Sequence, residues 1–205
     1  MNSMRRRVPH DVPYSLLVTR DVLNSRVDLN RFLDSMGTPR MPRSCCLPMN
    51  EALCHTIREV FSGVALGNGI GLQQAQGIDD YEPPGTCAHL RAKDEKEDWS
   101  RIPVEELNRC YSSLSFFDAE GMRFHLPAFL IAELRGLYRF EIVFSLTHLS
   151  EYNAGQFALL TPQQRLAVRA FLLHILDHPD HTFDRPDILR ALKDYWIPAP
   201  LPLDR

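Results

Sequence analysis

The residues best equipped for chemistry in this chain fall within eight positions: Asp118, Glu120, Arg123 and His125, in the phrase SLSFFDAEGMRFHLPAF. An imidazole beside two carboxylates has the ingredients of general acid–base catalysis. The same groups suit a compact buried turn, because Phe116, Phe117, Phe124 and Phe129 bracket them, and polar groups against an aromatic core must find partners. The turn is the expectation. In it Arg123 pairs with Asp118 or Glu120, and His125 donates to a backbone carbonyl before Pro127.

A second acidic pair, Asp79 and Asp80, lies before Glu82. Paired carboxylates can activate water or hold a divalent cation. Adjacent helical residues point in different directions, so these two do not share a face, and Asp79 is placed near Gln76 or Gln73 instead. His174, His178 and His181 carry the only metal-like spacing, with His174 and His178 on one helical face and Asp177, Asp180 and Asp184 nearby. The glutamate of a zinc-protease motif is missing, and a histidine near a helix C-terminus is electrostatically natural. No metal and no cofactor is assigned. The run GNGIG at 67–71 lacks the Lys-Ser/Thr of a phosphate loop and the third glycine of a dinucleotide fold, and it follows a helical pattern where both motifs need a strand. It reads as a glycine turn with positive φ and close packing.

The elements that position these groups are mainly helical. Leu53, Ile57, Val60 and Phe61 repeat at helical spacing behind Asn50, a capping residue, and residues 72–81 form a second helix. Residues 82–101, with EPPG and KDEKED, read as a solvent-exposed connection. Pro103 opens a helix through Cys110, and Pro127 opens another over 128–134. Residues 140–144 fit a short strand or a helix. Thr161, Pro162 and Gln164 make a capping box ahead of an apolar run to Leu176, the expected central helix. A last helix covers 186–195. The expected fold is mainly α, a compact multi-helix domain with room for one short β element.

Composition frames these elements. The 205 residues are 44% hydrophobic and 24% charged, with a net charge of -3, which suits a folded domain and excludes collagen, a coiled-coil rod and wholesale disorder. Residues 1–48 carry eight arginines against four aspartates, net +4, while residues 49–205 carry 15 basic and 22 acidic groups, net -7. The first segment reads as an arginine-rich extension or docking arm with one or two short helices over 14–36 and a linker over 36–48. Its arginines are interspersed with apolar and acidic residues, so nucleic acid is not the expected partner. The apolar runs are far too short for a membrane span, and the N-terminus lacks a signal-peptide core. Five cysteines without regular spacing point to reduced thiols in the cytoplasm.

Three phrases, GIGLQQAQGIDDY at 69–81, SLSFFDAEGMRFHLPAFLIAEL at 113–134 and LTPQQRLAVRAFLLHI at 160–175, resemble the pattern of a bacterial family of uncharacterised, mostly helical proteins. The resemblance spans residues 50–176 and singles out Asp79, Asp80, Asp118, Glu120, Arg123 and His125 as family-like polar positions. It implies no catalyst. The expected role is a protein-binding module, of which an immunity protein masking a bacterial toxin is one form, since an acidic body complements a basic nuclease-like partner. The alternative is a small hydrolase or metal-dependent enzyme using carboxylate and histidine side chains.

Overall fold

The computed structural model describes residues 49–196. The expectations for residues 1–48, Cys45 and Cys46 among them, and for the extended tail after Trp196 lie outside the described residues. Nine α-helices and no strand occur among those described: α1 (Met49–Val60), α2 (Leu72–Asp79), α3 (Pro84–Lys93), α4 (Val104–Arg109), α5 (Ala119–Leu134), α6 (Val143–Thr147), α7 (Glu151–Gln156), α8 (Pro162–Leu176) and α9 (Arg185–Ala191). Short 3-10 turns stand at Trp99–Arg101, Tyr111–Ser115 and Pro179–His181, and Leu192–Trp196 forms one π-helical turn. Residues 140–144, open to a strand by pattern, lead into α6. No helix among the described residues is long and apolar enough to cross a membrane.

The capping box forms as its residues dictate. Gln164 N donates to Thr161 Oγ1 at 3.2 Å, Thr161 N donates back to Gln164 Oε1 at 3.0 Å, and Pro162 takes the first helical position. Ten of the 15 residues of α8 are buried, and the helix packs on α1, α9 and the π-helical turn.

A second central helix was not expected. Residues 115–124 read as a turn, with Pro127 starting a new helix, yet α5 runs unbroken through both Gly121 and Pro127, and 12 of its 16 residues are buried. Proline inside a helix removes one backbone bond and costs about 3 kcal/mol, and glycine costs about 1. Phe124, Leu126, Phe129 and Leu130, all fully buried on this helix, each contribute roughly 1.5–3 kcal/mol of burial, so packing outweighs the local penalties.

Helix ends leave carbonyls without intrahelical partners, and distant side chains supply donors here. Asn50, expected as an N-cap, lies within α1 and donates to Leu134 O at 3.0 Å, closing α5. Gln164 Nε2 reaches Val60 O at 3.1 Å, Trp99 Nε1 reaches Phe61 O at 2.9 Å, and Trp196 Nε1 reaches Leu146 O at 2.9 Å. Residues 82–101 are exposed over most of their length but are no simple connection. They hold α3, and Cys87, Asp94 and Trp99 anchor them in the interior.

Candidate functional site

The glycine run and the start of α5 form one assembly. Asp118 is the N-cap of α5, and its Oδ1 accepts from Gly121 N at 2.8 Å and from Ile70 N at 3.0 Å. The loop thus lies directly on the helix start: a Cβ at Gly69 would fall 2.5 Å from Gly121 N and within 2.7 Å of Glu120 Cβ. Close approach is what this glycine supplies. Positive φ is needed at Gly67 alone of the three in the run, at 57°. Arg91 on α3 holds the loop from the other side, with Nε on Gly69 O at 3.0 Å and Nη2 on Gly67 O at 2.9 Å.

His125 sits one turn beyond Gly121 and is fully buried. Its ring stacks on Phe117 with centroids 4.4 Å apart and meets Phe124 edge-on at 4.9 Å. Nδ1 lies 2.7 Å from Gly121 O, and a carbonyl only accepts, so Nδ1 carries the proton. The expected carbonyl bond exists, four residues back on the same helix. Nε2 is therefore a bare lone pair, buried and without a partner among the described residues. Burial pushes the imidazole down to about 4, with the Arg91 charge adding to the effect and the Gly121 carbonyl and Asp118 opposing it. His125 is neutral at neutral pH.

Asp94 completes the site from inside the KDEKED tract. Gly71 stands at the N-cap of α2 and has no side chain to cap it, so Asp94, 23 positions further along the chain, does so. Its Oδ1 accepts from Gln73 N at 2.8 Å and Oδ2 from Gln74 N at 3.3 Å, and a Cβ at Gly71 would collide with this carboxylate. The side chain is only 6% exposed. Burial raises its carboxyl above the usual range, against the pull of the two backbone N–H groups and of Arg91 and Lys96. Asp94 and His125 line one cavity of about 420 Å³, together with Leu72, Ile102, Lys93 and Arg101.

The six residues singled out by sequence separate in space. Asp118 and His125 belong to this assembly, and Glu120 lies beside it, its Oε2 3.4 Å from where a Gly67 Cβ would stand. Arg123 makes no ion pair with Asp118 or Glu120, contrary to expectation, and its Nε is buried without a partner among the described residues. The turn in which the two were to meet is a helix, and their side chains leave it separately. Asp79 and Asp80 sit at the far end of α2, about 12 Å from its N-terminus at about 1.5 Å per residue. There Gln76 Nε2 donates to Asp80 Oδ1 at 3.1 Å, so Asp80, and not Asp79, is the residue that meets Gln76.

The histidine series does not converge. His178 lies past the end of α8, as the cap of the 3-10 turn, so it is not on the helix with His174, and its ring stands 6.0 Å from that of His181. His181 turns away to carboxylates, with Nδ1 2.8 Å from Asp184 Oδ2 and Nε2 3.9 Å from Glu133 Oε1. Among the described residues no group of three His, Cys, Asp or Glu side chains could hold a metal ion. Glu133 went unnoticed in the sequence, although a lone acid in the run LPAFLIAEL is its signal. Burial drives its carboxyl up to about 7, helped by Glu141 and opposed by His181 and by Ile142 N–H.

A separate feature is an exposed aromatic platform. Tyr111 and Phe140 stack with centroids 4.2 Å apart, and with Leu137 they stand 51%, 41% and 50% exposed. The platform is held from beneath. Tyr138 is buried edge-on against Phe129 at 5.2 Å. Asn108 clamps the strap between α5 and α6 onto α4, accepting from Arg139 N at 2.8 Å and donating to Leu137 O at 3.1 Å. An adjoining depression of about 530 Å³ is lined by Arg109, Arg139, Glu105 and Asn108.

Asp118→Ala removes the cap of α5 and the tie to Ile70 together. It is expected to cost about 1–2 kcal/mol in a denaturant titration. Parent-like stability would show that the cap is dispensable, leaving a functional role for this carboxylate.

Residues 49–200 match a protein family described as "Family of unknown function (DUF6714)". No curated protein and no solved structure matches the chain.

Proposed function

The chain belongs to the DUF6714 family, whose function is unknown, and from that starting point we propose that it is a protein-binding module that docks its partner on the Tyr111–Leu137–Phe140 platform. The observation that carries this reading is the stacked, half-exposed pair Tyr111 and Phe140 on a clamped backbone. Binding energy at interfaces concentrates in Tyr, Trp and Arg, and a face that is already ordered loses little entropy on docking. Arg139 stands exposed beside Phe140, and Arg109 flanks the same depression. The matching partner surface carries carboxylates around an apolar centre. Toxin masking is the narrower form of this role. A toxin seated here would meet arginines at the centre of the contact, while the acidic excess of residues 49–205 steers its basic regions from a distance.

The test begins with the proteins encoded beside this one. One of them should arrest growth when expressed alone, and co-expression of this chain should restore growth. A Tyr111→Ala/Phe140→Ala variant should weaken the complex by about tenfold or more, each truncation removing about 1 kcal/mol or more. Phe183→Ala, at a side chain 94% exposed elsewhere, should leave it unchanged. Equal affinity of the double variant and the parent would remove the platform from the interface. A second reading, an enzyme using carboxylate and histidine side chains, draws on Asp94 and His125 sharing one cavity. It requires turnover that His125→Gln abolishes without loss of fold.

A further inference from the structure

The chain between α8 and α9 is anchored through an ionisable side chain. Of residues 177–183 all but His181 are exposed, so no apolar side chain of this stretch is buried to hold it. Other bonds of the stretch close within it or across its own ends. Thr182 Oγ1 donates to Pro179 O at 2.6 Å, Asp180 N to His178 Nδ1 at 3.4 Å, and Arg185 Nε to Leu176 O at 3.1 Å. His181 turns inward to Glu133 in the last turn of α5, and the two side chains are 12% and 13% exposed.

His181 Nδ1 lies 2.8 Å from Asp184 Oδ2, and a carboxylate only accepts, so Nδ1 carries a proton. That leaves Nε2 facing Glu133 Oε1 at 3.9 Å, beyond hydrogen-bond length. The sign of this contact depends on one further proton. With it on either atom the pair attracts, as an acid on an imidazole nitrogen or as an imidazolium on a carboxylate. Without it a lone pair faces a carboxylate whose Oε2 is buried with no partner among the described residues, and the two repel. The groups around the pair do not replace that proton. Glu141 on the strap and Asp184 behind the ring are acidic, and burial holds the Tyr138 hydroxyl above its usual range. His178, its ring 6.0 Å from that of His181, is exposed and faces Asp180 at 3.6 Å. We propose that Glu133 and His181 form a proton-operated latch, which pins the Pro179–His181 turn to the end of α5 while it holds its proton and releases residues 177–184 once that proton passes to solvent. Burial raises the Glu133 carboxyl to about 7, with Glu141 adding and His181 and Ile142 N–H opposing, so the pair gives up its proton near neutral pH. Ile142 N–H favours the ionised carboxylate, so the strap that carries the aromatic platform stays in place. The latch therefore stands or falls separately from the docking role.

The test follows the full chain, labelled with 15N, between about pH 5.5 and about pH 8.5. Backbone order parameters of His181, Thr182 and Phe183 should be about 0.85 at the acid end and below about 0.6 at the alkaline end, with those of residues 137–142 unchanged. The midpoint of this loosening should coincide with that of the His181 Nε2 resonance. Glu133→Gln, whose amide N–H donates to Nε2 at every pH, should keep the turn ordered throughout. A turn equally ordered at both ends would overturn the latch. So would a loosening that persists in Glu133→Gln, the result expected if His178 and Asp180 drive it. Should Glu133→Gln fail to fold, the parent chain decides alone: a shared midpoint for the turn and for His181 supports the latch, and separate midpoints overturn it.

Discussion

Leu173→Ala is expected to lower the unfolding free energy by about 2–5 kcal/mol, the range for deleting a packed leucine from a core. Leu173 is 3% exposed in the last turn of α8, a helix that packs on α1, α9 and the π-helical turn. Alanine is at least as good a helix former as leucine, so the loss reports packing and not helix propensity. Urea titrations should show a lower midpoint at an unchanged slope, since the surface exposed on unfolding hardly alters. A loss below about 0.5 kcal/mol, the size of an ordinary surface substitution, would remove Leu173 from the core.

Glu133→Gln should have the opposite sign. The folded chain raises this carboxyl from 4.5 to about 7, so it holds the proton more tightly than the unfolded chain does. The stability that this group contributes is fully present below about pH 4.5 and is lost as pH rises through about 7. By about pH 8 the loss reaches roughly 3 kcal/mol, at about 1.4 kcal/mol per pKa unit. Glutamine cannot ionise, and its amide can still occupy the place beside His181 and Ile142. The variant should match the parent near about pH 4.5 and exceed it by about 1–3 kcal/mol near about pH 8. His125 works in the other direction: its folded value of about 4 means that stability is lost as pH falls from about 6.5 through about 4. That slope is common to both proteins and cancels in the comparison. Thermal melts of the two across this range provide the measurement. A constant difference between them would show that Glu133 does not titrate in the fold.

The candidate site was half legible. Asp118 and His125 stood out because a carboxylate and an imidazole among phenylalanines must be bonded to something. The site's other half, Asp94, was hidden in KDEKED, whose charges look uniformly solvated. Its signal lay elsewhere, at Gly71, a helix start that offers no capping side chain and so requires one from another part of the chain. Arg91 was hidden for the same reason, since a guanidinium holding two glycine carbonyls leaves no local pattern. Tyr111 and Phe140 are 29 residues apart, and nothing in the spacing of aromatic residues distinguishes an exposed stack from a core pair.

The contrast between α8 and α5 shows where local and long-range forces divide. The start of α8 follows from Thr161, Pro162 and Gln164, whose bonds all close within one turn, so four consecutive residues carry the information. The helical class of the fold follows likewise from apolar residues recurring at helical spacing. In α5 the local terms point the wrong way. Gly121 and Pro127 disfavour a helix by a few kcal/mol, and the helix persists because its buried face meets α1, α7 and the Trp99 turn. Burial of that size depends on which surfaces meet, and residues distant along the chain supply them. The same holds for Asp94 capping α2, for Glu133 beside His181, and for the cavity whose walls come from four separate segments. Bonds that close within one turn can be read from neighbouring residues, whereas burial and pairing across the fold arise only when the helices pack together.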